Sequence, residues 1–156
     1  MSQPFDVGVK GTTGLEGLGP ELIRETHKVT RKALSSTSTV LRRGMVRKLS
    51  KRGGPSAPGS APARVEGALR DSIGKDRPRR DGDKFSVDVG PGVGRAKARK
   101  VEAQKAEGVN IFEYAALHEF GGIGADGRRY PPRSFARAAE EETEAEIDSM
   151  LRAAFG

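Results

Sequence analysis

The feature that most constrains this chain is a helical pattern that begins at Pro20 and continues to about Lys51. Proline suits the first turn of a helix, because its missing N–H has no partner to bond there. At about 100° per residue, apolar side chains gather on one side and basic side chains on the other. The apolar stripe contains Leu22, Val29, Ala33 and Val40, flanked by Ile23, Leu34 and Leu41, and the basic stripe contains Arg24, Lys28, Arg31 and Arg42. The apolar stripe needs another element to cover it, whereas exposure to solvent alone would account for the basic stripe.

Two segments with period-two alternation predict the element on which this helix packs. Phe5 to Lys10 and Lys84 to Gly90 place an apolar side chain at every second position, which is typical of half-buried strands. A second long helix is predicted from Pro132 to about residue 153, where apolar residues recur at helical spacing among many glutamates. We therefore predict an α+β fold, in which the 20–51 helix and the 132–153 helix pack on one small, mostly antiparallel sheet.

Shorter elements fill the space between these four. Arg64 to Ile73 predicts a short helix, and Asp76 to Asp83 a charged turn before the second strand. Arg128 to Pro131 is expected to be briefly extended. The stretch from Ile111 to Phe120 favours helix over strand, because apolar residues recur at intervals of four: Phe112, Ala116 and Phe120.

The length of 156 residues predicts a single domain, 1–156, with flexible loops at about 51–63 and 91–110. Both loops lack side chains to bury. Leu, Ile, Val and Phe together number 31, about a fifth of the chain, which is the composition at which folding alone becomes doubtful. We expect partner subunits to supply the missing burial.

Charge and composition exclude several classes of protein. Lys and Arg number 28 against 21 Asp and Glu, so the net charge of +7 favours a polyanion or an acidic protein as neighbour. The absence of Cys excludes disulfides, Cys-ligated zinc, iron–sulfur clusters and thiol nucleophiles. The sequence has no apolar run near 18 residues and no basic-then-apolar leader, so we expect synthesis in the cytoplasm and no membrane association.

The charge is also unevenly placed along the chain. Residues 1–60 carry 11 basic and 4 acidic groups, whereas residues 111–156 carry 5 and 9. A basic front and an acidic tail suit head-to-tail contact between identical subunits, although solvated helix faces produce the same imbalance and are commoner.

Candidates for catalysis are few. The only histidines are His27 and His118, and the spacing of His118 to Glu113 and Glu119 is not that of a helical zinc site. The glycine-rich run from Gly90 to Gly94 lacks the Lys-Ser or Lys-Thr of a phosphate-binding loop. We therefore predict no enzyme activity, no catalytic or metal-binding residues and no cofactor. A small hydrolase that uses His118 and Glu119 is an alternative hypothesis.

Three segments together resemble the neck and tail-completion proteins of long-tailed bacteriophages, the family of putative tail components and minor tail proteins of the Z type. They are Gly67 to Ile73, Tyr114 to Gly121, and Tyr130 to Phe135 followed by Ala138, and with the long helix they cover roughly residues 5–155. The positions that match the family's motifs are Gly67, Leu69, Arg70, Ser72, Ile73, Tyr114, Ala115, Glu119, Phe120, Gly121, Pro132, Phe135 and Ala138.

The resemblance implies a structural virion protein, made in the host cytoplasm, that closes the tail tube as tail terminator or completion factor and mediates head–tail joining. It implies a homo-oligomeric ring around the DNA channel, with six subunits, contacting neighbouring neck and tail-tube proteins. The residues expected to line the channel and meet double-stranded DNA are Arg24, Lys28, Arg31, Arg95, Lys97, Arg99, Lys100 and Lys105.

The same motif residues have physical interpretations. Gly121 permits a turn after a packed helix, Tyr114 and Phe120 are expected to fill core, and Pro132 to start the last helix.

The alternative function is an unspecific basic nucleic-acid-binding protein. The basic stretches contain no aromatic residue for base stacking, so either function implies contact with the phosphate backbone only.

Overall fold

The computed structural model describes residues 5–9, 19–50, 67–94, 97–99, 101–102, 110–124 and 127–156. It confirms the α+β fold, with two long helices on a small antiparallel sheet. The elements in chain order are β1 (Phe5–Val9), α1 (Pro20–Lys48), α2 (Ala68–Ser72), β2 (Ile73–Lys75), β3 (Arg79–Asp81), β4 (Lys84–Pro91), α3 (Ile111–Phe120), β5 (Gly122–Ile123), β6 (Arg129–Tyr130) and α4 (Ala136–Phe155).

Strand β4 is the centre of the sheet. It pairs with β1 along one edge, and β2 and β3 share its other edge, all antiparallel. The predicted alternation along this strand is confirmed, since Phe85, Val87 and Val89 are buried. Leu34 of α1 packs against the first two of these side chains, so α1 covers this face of the sheet. The intervening Ser86 and Asp88 lie on the opposite face and are only partly covered.

Helix α4 packs along α1 where both helices carry small residues. A Cβ atom at Gly44 would lie 3.0 Å from Thr143 Cγ2 and 3.3 Å from Ala139 Cβ, so glycine permits this close approach. Next to it, Arg47 and Lys48 each form an ion pair of 2.5 Å with Glu142. These contacts fix α4 against the second half of α1.

The larger core cluster lies where α1, α2, α3, α4 and β4 meet. It includes Val101, which is 2% exposed and packs in the same cluster as Ile73, Val89 and Ile111. Residues 97–99 and 101–102 are helical. The expectation that the 91–110 segment has nothing to bury is therefore wrong at Val101, because one valine in a polar stretch is enough to anchor a short helix to the core. The predicted loop at 51–63 lies outside the described residues.

Several predicted boundaries shift. Helix α1 ends at Lys48 instead of Lys51. The short helix covers only Ala68–Ser72, and Ile73 opens β2 instead of ending the helix. The charged turn contains strand β3, which forms a hairpin with β4 around Gly82. The last helix begins at Ala136, so the prediction that Pro132 starts it is wrong.

The reason for this last shift is a contact between the 131–134 segment and α3. The backbone N–H of Arg133 donates a hydrogen bond of 2.6 Å to the carbonyl oxygen of His118. This bond ties the chain to the end of α3 before α4 begins. Residues 131–134 are accordingly not helical, and the last helix begins two residues after them, at Ala136.

Candidate functional site

Helix α3 presents a different face to the core from the one its hydropathy indicates. The buried side chains are Ile111, Ala115 and Glu119, spaced four residues apart. The predicted burial of Tyr114 and Phe120 is wrong, since these side chains are 42% and 66% exposed. The helix is thus rotated so that a carboxylate takes the last inward position and an aromatic ring the outward one.

Glu119 explains this rotation. The residue is 8% exposed, and its carboxylate accepts hydrogen bonds from the backbone N–H groups of Phe135 and Ala136, both 2.9 Å, and Arg137, 3.1 Å. It also accepts a hydrogen bond from the hydroxyl of Ser134. We call this arrangement of Glu119 with the 134–137 segment the α3–α4 junction.

The junction supplies what the N-terminus of α4 lacks. The first N–H groups of any helix have no partner within the helix, and the N-cap residue of α4, Phe135, has no side chain that can accept them. A carboxylate from α3 satisfies these donors and lies at the positive end of the helix dipole. Glu119 therefore acts as an N-cap supplied by another helix.

Gly121 allows the chain to reverse directly after Glu119. Its φ of 70° lies in the left-handed region, and a Cβ atom there would be 2.9 Å from both Pro132 N and Tyr130 O. Only glycine fits this conformation and this space without strain. The predicted role of Gly121 in a turn after a packed helix agrees with this geometry.

A short hairpin, β5–β6, follows this reversal. Gly122 pairs with Tyr130 and Ile123 pairs with Arg129. A Cβ atom at Gly122 would lie 3.5 Å from Leu117 Cδ1, so the Gly122–Tyr130 pair faces α3. Because neighbouring pairs of a hairpin face opposite sides, Ile123 and Arg129 face outward.

Three exposed side chains lie on the last residue of α3 and on the hairpin that follows it. Ile123 is 74% exposed and Phe120 is 66% exposed, and Arg129 is exposed beside Ile123. We call Phe120, Ile123 and Arg129 the hairpin patch. Large apolar side chains this exposed, next to a cation, are typical of contact surfaces between proteins.

His118 and Glu119 make separate contacts. The imidazole of His118 packs edge to face on Tyr114, with ring centroids 4.4 Å apart. Burial lowers the pKa of His118 below its ordinary 6.5, and the nearby Arg133 guanidinium lowers it further. The Glu119 carboxylate is directed to the start of α4 instead of toward this ring.

The other motif positions lie on α2, at the start of β2, on α3 and around the start of α4. Gly67 precedes α2 with a φ of 78°, and Leu69, Ser72 and Ile73 are buried. The Ser72 hydroxyl donates a hydrogen bond of 2.7 Å to the Leu69 carbonyl oxygen. The remaining motif positions range from buried (Ala115, Phe135) through partly buried (Arg70, Ala138) to exposed (Pro132).

The basic residues expected to line a DNA channel are found in two places. Arg24, Lys28 and Arg31 are exposed along the first half of α1. Lys28 lies 3.5 Å from Glu25, and the Arg31 guanidinium lies 6.0 Å from the centre of the Phe85 ring. This part of α1 therefore presents cations to solvent.

The second group, from the 91–110 segment, is not uniform. The Lys97 amine donates a hydrogen bond to the Asp71 carbonyl oxygen, so it has a structural contact, whereas Arg99 is exposed. Arg95, Lys100 and Lys105 lie outside the described residues. Of this group we retain Arg99 as a candidate for contact with DNA.

Sequence analysis missed two cations that hold β2 to α1. The Lys75 amine donates to the Ser35 carbonyl oxygen at 2.8 Å and lies 3.3 Å from the hydroxyls of Ser35 and Ser38. Burial and the nearby Arg42 lower the pKa of Lys75. Arg42, assigned to the solvent-facing stripe, donates to the Ile73 carbonyl oxygen at 3.1 Å. No local pattern indicates these contacts, since they join residues more than 30 positions apart.

Comparisons with known proteins give no further identification. No family model, no curated protein and no solved structure matches the chain.

Among the described residues, no three His, Asp or Glu side chains are grouped so that they could hold a metal ion. No helix in the described part of the chain is long and apolar enough to cross a membrane.

Proposed function

We propose that this protein is a structural virion protein of a bacteriophage neck. In this proposal it closes the tail tube, as tail terminator or completion factor, and takes part in head–tail joining as a homo-oligomeric ring around the DNA channel. The proposal rests on the resemblance of the three motif segments and on one structural observation, the hairpin patch held outward by the α3–α4 junction.

The junction joins two of the three motif segments. Glu119 and Gly121 belong to the second segment, and the N–H and hydroxyl groups that Glu119 binds belong to the third or follow it directly. With Glu119 in the inward position of α3, the next residue, Phe120, is exposed, and Ile123 is exposed on the hairpin that follows. A fold that uses its buried hydrogen bonds to present apolar side chains is suited to assembly with other subunits.

The basic half of α1 supports the proposed position near DNA. Arg24 and Lys28 are exposed, on a helix whose other side packs on the sheet. Contact with a passing genome requires only attraction between cations and phosphates, without base recognition. We expect charge reversal at Arg24, Lys28 and Arg99 to leave the fold and the ring intact and to reduce the infectivity of assembled particles.

The oligomeric state tests the proposal most directly. Sedimentation velocity and negative-stain microscopy of the purified protein, alone and with phage tail tubes, are expected to show a closed ring or a cap on the tube end. A protein that remains monomeric, does not bind tubes and binds duplex DNA tightly in a salt-sensitive manner contradicts the proposal. That result would favour the alternative, an unspecific nucleic-acid-binding protein.

A further inference from the structure

We infer that the hairpin patch binds the outward face of α4 on a second copy of this chain. This inference rests on the proposed function, because it assigns the two surfaces through which neighbouring subunits of the ring meet. The patch is a set of two apolar side chains and one cation, and the occupant we assign to it is an acidic helix face with a small apolar centre.

The hairpin patch has a defined chemistry. Ile123 and Arg129 are directly opposite each other on β5 and β6, so their side chains lie side by side on the outward face. Phe120, two residues before β5, is exposed next to the reversal at Gly121. A partner that covers this patch must remove two large apolar side chains from water and offer a carboxylate to the guanidinium.

The outward face of α4 has the complementary chemistry. Glu141, Glu144 and Ala145 are all exposed. Glu144 and Ala145 follow Glu141 by three and four residues, so both are its neighbours on the helix surface. They lie on the side of α4 away from Ala136 and Ala139, which are buried. Ala145 provides a flat apolar position on which Ile123 or Phe120 of another copy can pack. The two carboxylates beside it can accept hydrogen bonds from Arg129.

The two surfaces belong to different parts of one subunit, and both are exposed in it. A contact between them is therefore heterologous: each copy offers its hairpin patch to one neighbour and its α4 face to the other. Such contacts form a ring when the rotation between copies closes. The excess of acidic residues in 111–156 lies mostly on α4. In the proposed contact, these carboxylates attract Arg129 of the neighbouring copy.

Charge exchange in the full-length protein tests this assignment. One variant carries Arg129→Glu, and the other carries Glu141→Lys together with Glu144→Lys. Each variant places like charges across every contact, so each is expected to raise the dissociation constant of assembly by about tenfold or more. Circular dichroism of each variant establishes that the subunit remains folded.

A mixture of the two variants gives the sharpest result. In alternating order, the carboxylate introduced at position 129 would face the two introduced lysines at one contact, and the unchanged Arg129 would face the unchanged carboxylates at the next. An equimolar mixture is therefore expected to recover assembly, in rings with an even number of subunits that contain both variants in equal amounts. Native mass spectrometry of the two variants, given distinct masses by isotope labelling, measures this composition.

Matched controls carry the same charge changes elsewhere. Arg24→Glu and the pair Glu21→Lys with Glu25→Lys alter exposed residues on the first half of α1, and both are expected to assemble as the wild type does. If the controls lose assembly equally, or if the mixture of patch and α4 variants does not recover it, the assigned contact is wrong.

The possible failures are distinguishable. Patch and α4 variants that assemble like the wild type overturn this inference and leave the proposed ring intact. A wild-type protein that stays monomeric at its highest soluble concentration, with and without tail tubes, overturns both proposals.

Discussion

Glu119 and Phe120 are adjacent in the chain, and each has the environment that side-chain chemistry would predict for the other. The carboxylate of Glu119 is buried and accepts four hydrogen bonds, whereas the ring of Phe120 is two-thirds exposed. Hydropathy alone predicts the reverse. The difference shows that the orientation of α3 follows the unsatisfied N–H groups of α4 more than the apolar content of its own faces.

This comparison also separates two roles within one motif. The α3–α4 junction is a structural device that determines the path of the chain. The hairpin patch is the surface that this path exposes. Variants of the two regions are therefore expected to change different properties. Changes at the α3–α4 junction should alter the stability of the subunit, and changes at the hairpin patch should alter assembly.

The largest expected effect is at the junction itself. Replacing Glu119 by Ala removes the acceptor for four donors, so the free energy of unfolding is expected to fall by about 3 kcal/mol. Urea unfolding followed by circular dichroism measures it. The matched control is Glu113→Ala, an exposed glutamate on the same helix, which is expected to change stability by less than about 0.5 kcal/mol. Equal losses in the two variants would show that the junction contributes no special stability.

A smaller loss of stability is expected at the reversal after the junction. Gly121→Ala combines a positive φ with contacts of 2.9 Å to backbone atoms, so we expect a cost of about 2 kcal/mol. Gly127 has a similar φ, 74°, with no atom within 4 Å of a Cβ, so Gly127→Ala is the control and should cost about 1 kcal/mol. The difference between the two variants measures the crowding at Gly121. If the costs are the same, the conformation matters and the crowding does not.

The next effect is a pH dependence from His118. Its pKa is lower in the folded protein than in the unfolded chain, where it is near 6.5. As the pH falls below about 6.5, the unfolded chain takes up the proton first, so the folded state loses stability until the lower folded pKa is passed. Thermal unfolding at several pH values is expected to show this decline in the wild type and a weaker decline in His118→Asn. An unchanged slope in the variant would mean that another group causes the decline.

The smallest effect on stability is expected at the patch. The double variant Phe120→Ser with Ile123→Ser should change the free energy of unfolding of the subunit by no more than about 0.5 kcal/mol, since both side chains are exposed. Assembly, measured by sedimentation velocity, should be lost. The control is Phe135→Ala at a buried phenylalanine, where a loss of about 3–5 kcal/mol is expected. A patch variant that assembles normally would show that the hairpin patch is not an assembly surface.

Much of the fold was predictable from local pattern. The alternation of Phe85, Val87 and Val89 and the apolar spacing in α1 indicated a strand and a helix that pack on each other, and the structure confirms both. Val101 was missed, because a single valine in a charged segment carries no periodic signal. The error at Tyr114 and Phe120 has a different cause: their aromatic side chains indicate burial, but hydropathy does not report which face of a helix is covered.

The sequence by itself determined the elements of this protein, because propensity, periodicity and turn residues act over a few neighbouring positions. It also determined that glycine stands at position 121, where a left-handed turn is needed. Only the tertiary structure decided which sides of those elements are buried. The hydrogen bonds that join the 134–137 segment to Glu119, Lys75 to Ser35, and Arg42 to the carbonyl of Ile73 connect residues between 15 and 40 positions apart. Buried polar groups must find partners wherever the chain brings them, and that requirement has no local signature in the sequence.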